Sequence, residues 1–150
     1  MDFENPPSFS AVDISVIIHA TEDKNKVLES LSTILCVHPN KFRHTESIGH
    51  WGNRILLITG RLESTEANKL IQKILDSLNS MEREQLSNSF QSFIDEKGNL
   101  YLRLDKQRVC QKRISLSESD SVRFRFRPTR RFKMDRNQSY LERGLLSSKE

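Results

Sequence analysis

A six-residue run late in the chain, Val122-Arg123-Phe124-Arg125-Phe126-Arg127, alternates strictly between apolar and basic side chains. An extended strand puts every second residue on the same side, so the run predicts a strand with Val122, Phe124 and Phe126 facing a core. Arg123, Arg125 and Arg127 then face outward. At a rise of about 3.3 Å per residue, the three guanidinium stems recur roughly every 6.6 Å, which suits successive phosphates of one nucleic-acid strand. The competing reading is a solvated antiparallel face whose arginines pair with carboxylates on the next strand.

Charge is concentrated around this strand. Between Lys106 and Arg136 stand eleven lysines and arginines against Glu118, Asp120 and Asp135, although the whole chain is only +4. A clustered basic region is the footprint of a protein that meets an anionic polymer. Arg130, Arg131 and Lys133 extend the arginine strand beyond Pro128, and Lys106, Arg108, Lys112 and Arg113 widen the patch from the other side.

With 150 residues, 35% of them hydrophobic, the chain is long enough for one core and short for two. The expected organisation is a flexible arm over 1–11, an α+β domain over 12–128 and a basic, partly disordered tail over 129–150. The first residues hold acids and Pro6-Pro7 where a secretory signal needs basic residues and an apolar run. No apolar run approaches a membrane span, so a cytoplasmic protein without membrane association is expected. Cys36 and Cys110 read as small buried residues rather than as a disulfide.

Taken in order, Val12 to Ala20 predicts an interior strand, and Thr21 a cap for a helix with Val27, Leu28, Leu31, Ile34 and Leu35 on its buried stripe. Phe42–Ile48 and Arg54–Leu62 predict a hairpin around Gly49-His50-Trp51-Gly52-Asn53, whose glycines and asparagine permit a tight reversal. Ser64 caps a helix carrying Ala67, Leu70, Ile71, Ile74, Leu75 and Leu78. A break at Asn79-Ser80 opens another helix, with Leu86, Phe90, Phe93 and Ile94, which Lys97-Gly98-Asn99 ends. Leu100 to Asp105 alternates with its leucines inward, which turns Tyr101 and Arg103 outward. Hairpins outnumber crossovers, which predicts a mainly antiparallel sheet with helices packed on one face.

Other chemistries find little support. Cys36, His38, His44 and His50 match no closed zinc motif, so no metal is expected, and His19 reads as a hydrogen-bonded core residue. No nucleophile motif or phosphate-cradling glycine loop is present, which points away from an enzyme and from any cofactor. Trp51, with His50 and Arg54 beside it, suits stacking on an unpaired base, or else folds back to cover the sheet end. Asp105-Lys106-Gln107 ends a strand at a turn and reads as structural before it reads as an RNA contact.

The block Gly98-Asn99-Leu100-Tyr101-Leu102-Arg103-Leu104-Asp105-Lys106-Gln107, the hairpin turn Gly49–Asn53 and Val122-Arg123-Phe124-Arg125 together resemble an archaeal RNA-binding protein family described as predicted exosome subunits. That family is similar in fold to the large-subunit ribosomal protein that binds 5S ribosomal RNA. The resemblance runs from about Val12 to Arg127. Proline usually follows the hairpin asparagine in the family, whereas this chain has Arg54. The resemblance implies an RNA partner, with exosome or ribosome components as further partners. The expected function is a non-enzymatic RNA-binding accessory factor in RNA processing, degradation or ribosomal RNA metabolism, monomeric or homodimeric. Its RNA-binding residues would be Arg123, Arg125, Arg127, Arg130, Arg131, Lys133, Lys106, Arg108, Trp51 and Arg54. The alternative is a protein-interaction or oligomerisation module in which the arginine strand is an edge that pairs with another chain.

Overall fold

A computed structural model describes residues 9–49, 51–117 and 119–129. Five strands and four helices follow one another as β1 (Phe9–His19), α1 (Lys24–Leu35), β2 (Phe42–Ile48), β3 (Arg54–Glu63), α2 (Ser64–Ser77), α3 (Ser80–Asn88), β4 (Leu100–Asp105), α4 (Lys106–Cys110) and β5 (Ser121–Pro128). Single 3-10 turns at Pro39–Lys41 and Phe90–Phe93 join them. The strands form one antiparallel sheet in the order β2-β3-β1-β5-β4, an α+β fold as the patterning predicts. Because β5 lies between β1 and β4, the arginine strand is not an edge, and the idea that it pairs with another chain by strand addition falls.

Packing divides the described residues into two compact units, one of residues 9–12, 62–102 and 125–129, the other within 13–61 and 103–124. In the first, α2 buries Ala67, Leu70, Ile71, Ile74 and Leu75, one face of a helix. Phe9 and Phe126 meet there with ring centroids 5.4 Å apart, tilted by 56°. The strand therefore begins at Phe9, and residues 9–11, expected in a mobile arm, are part of the fold. The physical reason is Asn68, whose amide accepts from the Phe9 N–H at 3.0 Å and donates to the Phe9 carbonyl at 3.2 Å. Phe9 and Ala11 are wholly buried, and so is Val12, which breaks the two-residue period at that point.

Helix α3 opens with a capping box: Asn79 accepts from the Glu82 N–H at 2.8 Å and the Glu82 carboxylate accepts from the Asn79 N–H at 3.2 Å. The helix is shorter than its apolar pattern suggests, because the chain tightens into the 3-10 turn that carries Phe90 and Phe93. Arg83, nearly buried, donates from Nε to the Leu75 carbonyl at 3.0 Å and from Nη2 to the Asp76 carbonyl at 2.8 Å. A cation thus closes the open C-terminal carbonyls of α2.

In the second unit α1 is capped by Asp23, not Thr21: its carboxylate accepts from the Asn25 and Lys26 N–H groups. The helix ends at Cys36 in the left-handed region (φ 56°), so this cysteine is exposed rather than buried, and Cys110 is half-buried. The β2–β3 hairpin pairs Phe42 with Gly60 through Ile48 with Arg54, close to the predicted register. At its turn Gly52 has positive φ (79°) and Gly49 does not, so one glycine rather than two makes the reversal. Helix α2 of the first unit begins at Ser64 itself, after Glu63, and makes no side-chain cap bond there.

Candidate nucleic-acid interface

In the unit of residues 13–61 and 103–124, burial separates the two sides of each strand. Ile14, Val16 and Ile18 on β1, Ile58 on β3, Leu104 on β4, and Val122 and Phe124 on β5 are buried on the inner side. The alternate residues then lie outward. Directly opposed residues of an antiparallel pair share a side, so the register Arg43↔Thr59, Thr45↔Leu57, Ser47↔Ile55 puts Arg43 on the outer one. Alternation adds Arg61 on β3, Arg103 on β4 and Arg123 on β5. All four arginines are exposed. Arg43, Arg103 and Arg123 have no carboxylate partner among the described residues. Ile17 and Leu57, each 38% exposed, stand among them as aliphatic ground.

The other predicted contacts are distributed differently. Arg125 and Arg127 continue the outward side of β5 into the first unit, where both are half-buried. Arg108 is exposed on α4, and Asp105 caps that short helix by accepting from the Arg108 N–H at 3.0 Å. Trp51 is 83% exposed at the hairpin tip. Arg54 beside it lies 4.0 Å from Glu46 in a pair so exposed that it restrains neither side chain much. Arg130, Arg131 and Lys133 lie outside the described residues.

Lys106 is a correction. It is 1% exposed, and its ammonium donates to the Ile17 carbonyl at 2.8 Å while pairing with Glu22 at 2.7 Å and Asp120 at 3.0 Å. A charge so enclosed and so engaged cannot reach a phosphate, so Lys106 leaves the interface. It ties the end of β1, the approach to α1 and the approach to β5 to the start of α4. Burial alone would raise the Glu22 carboxyl, but hydrogen bonds from the His19 N–H and the Lys106 ammonium, with the charge of that ammonium, hold it below the usual value.

His19 is exposed, not a core residue as expected, and has a ring nitrogen within 4.8 Å of the Glu22 and Asp120 carboxylates. Three such groups could ligate a metal ion, but Lys106 already supplies the cation between the two carboxylates. A divalent ion there would have to displace a buried ammonium.

Residues 11–127 match the protein family described as RNA binding, which covers most of the chain. The chain belongs to the RNA-binding family. Among curated relatives, RNA-binding protein PAB1135 of Pyrococcus abyssi is 32% identical over 116 residues, spanning 74% of this chain and 75% of that protein. Protein SSO0741 of Sulfolobus solfataricus superposes with a TM-score of 0.73 at 26% identity, over 91% of this chain and 98% of that one. Mth689 of Methanothermobacter thermautotrophicus, at 20% identity and TM-score 0.71 over 95% of this chain and 99% of its own, shares the fold. Of these four arginines the sequence assigned only Arg123 to the RNA contacts; it turned Arg103 outward without assigning it, and it missed Arg43 and Arg61. Arg43 is the second residue of a mostly polar strand, and Arg61 comes after the unbroken apolar run Ile55 to Ile58 and Thr59-Gly60, so neither sits in an alternating pattern.

Proposed function

We propose that this chain is a non-enzymatic RNA-binding protein that grips phosphates through arginines on the outward side of its sheet. The observation that carries the reading is the set Arg43, Arg103 and Arg123: exposed, on one side of three strands, and unneutralised by carboxylates among the described residues. Guanidinium groups left in that state are suited to bidentate contacts with phosphate oxygens. Arg61, on the same side, and Arg125 and Arg127 already make contacts within the protein and stand second to these three, while Arg108 and the basic residues Arg130, Arg131 and Lys133 supply further phosphate contacts in this reading. Trp51 and Arg54 supply a stacking contact at the hairpin tip. Membership of the RNA-binding family and the name of the Pyrococcus relative support the same partner. A role as an accessory factor in RNA processing or degradation, with exosome components, or in ribosomal RNA metabolism, is the finer form of this proposal. Sequencing RNA crosslinked to the protein in cells distinguishes the two.

The direct test replaces Arg43, Arg103 and Arg123 together by glutamate and measures RNA binding and light scattering. The expected result is loss of all but weak RNA binding, with an unchanged oligomeric state. Unchanged RNA binding, or loss of an oligomer instead, would favour a protein-interaction module.

A further inference from the structure

Sheets that hold single-stranded RNA do so largely by stacking its bases on aromatic side chains. Among the described residues of the unit 13–61 and 103–124 the outward side of the sheet offers none, and Tyr101, which precedes Arg103 on the same side of β4, ties its hydroxyl to Asp95 at 3.0 Å. Ile17, Leu57, Ser15 and Thr45 stand among its arginines, while Phe42 and Phe124 are buried. Such a surface reads a sugar-phosphate backbone, not bases. Its cations also spread in two dimensions. Arg43 and Arg103 belong to the two edge strands of the order β2-β3-β1-β5-β4 and Arg123 to a strand between them. Four strand spacings separate the edges, about 19 Å. A flexible single strand tracks along a groove, whereas a field of this breadth suits the paired backbones of a duplex, which proteins recognise by shape and phosphate.

Trp51 is the one exposed Phe, Tyr or Trp among the described residues of this unit, and it lies on the tight turn of the same hairpin that carries Arg43 and Arg61. The Gly49 N–H donates to the Asn53 carbonyl at 2.6 Å and the Gly52 N–H to the Gly49 carbonyl at 3.0 Å, so the turn is closed on itself. An indole presented this way can stack only on a base that is not already paired inside a helix.

Resting on the RNA-binding reading above, we infer that the RNA recognised is a stem carrying an unpaired nucleotide. The sheet arginines hold phosphates of the stem, and Trp51 stacks on the unpaired base.

The test uses the full chain and three RNAs of equal length: a stem with one bulged nucleotide, the same stem fully paired, and an unstructured strand. Trp51 is the only tryptophan in the chain, so its fluorescence reports the hairpin tip alone. The bulged stem should bind most tightly and quench the emission, and the paired stem should bind roughly 5- to 150-fold more weakly without quenching, the range expected for one stacked base. Trp51→Ala should bind both stems alike, and Trp51→Phe should keep most of the discrimination. Equal affinity for the two stems with unchanged emission overturns the inference and leaves the RNA-binding reading standing, as does tightest binding of the unstructured strand. Failure to bind any of the three overturns both.

Discussion

A lysine is the residue type that sequence reasoning places most readily on a surface, and Lys106 shows where that habit fails. Its neighbours Gln107 and Arg108 are exposed, so nothing local distinguishes it. The groups that bury it, Glu22, Asp120 and the Ile17 carbonyl, arrive from distant parts of the chain. Lys106→Met should therefore destabilise the protein by about 3 kcal/mol in denaturant unfolding, because two carboxylates lose their counter-charge. The salt dependence of RNA binding by the folded variant should not change, since a buried ammonium neutralises no phosphate. A fold left intact with a shallower salt slope would return Lys106 to the interface. The same cluster predicts a pH response. With its carboxyl held below the usual value, Glu22 binds fewer protons in the folded state than in the unfolded one, so its stabilisation is complete above the ordinary glutamate value of about 4.3. It is lost as pH falls through the depressed folded value. Asp95, also held low against burial by hydrogen bonds from Asn99, Tyr101 and Lys97, acts in the same direction. Unfolding midpoints measured across the acid range should fall less steeply in Glu22→Gln than in the parent chain.

Elements were legible where a period of two or a long apolar stripe was unbroken. The hairpin Phe42–Ile48 with Arg54–Glu63, the leucine strand β4, the arginine strand β5 and the buried face of α2 all follow from the alternation or helical spacing of their own residues. The ends of elements were less legible, because they depend on which polar side chain reaches which backbone group. Asp23 rather than Thr21 caps α1, and the start of β1 at Phe9 is fixed by Asn68, 59 residues away. Gly60 was illegible for a related reason, a partner that lies on another strand. In the middle of a strand it weakens the ladder by its lack of a side chain, yet here the Phe42 ring of the opposite strand lies across it. A Cβ at this position would sit 2.8 Å from Phe42 Cδ1 and 3.0 Å from Cε1, and Phe42 is only 6% exposed, so its ring has no free space to retreat into. Gly60→Ala should cost about 1–3 kcal/mol by overpacking. Phe42→Leu combined with Gly60→Ala should recover part of that loss; costs that simply add would show that the two positions are not coupled.

At the scale of the whole chain, the net charge of +4 conceals where the charge lies. Residues 130–150 hold six lysines and arginines (Arg130, Arg131, Lys133, Arg136, Arg143, Lys149) and three acids (Asp135, Glu142, Glu150), which gives 6 − 3 = +3 of that total. The remainder is close to neutral, so any strong attraction it exerts on a polyanion must come from arrangement, as with Arg43, Arg103 and Arg123 on one side of the sheet, and not from bulk charge. These two sources separate experimentally, because each phosphate neutralised contributes about 0.7–0.9 to the slope of log affinity against log salt. Ending the chain after Thr129 removes Arg130, Arg131 and Lys133 and should lower the slope by about 2–3 while leaving residual, still salt-dependent binding. Charge reversal on the sheet in the full chain should instead abolish the binding that depends on an ordered RNA backbone and leave only weak attraction by the basic terminus. If truncation alone removed all RNA binding, the sheet would be a scaffold rather than the gripping surface, and the four arginines would need another explanation.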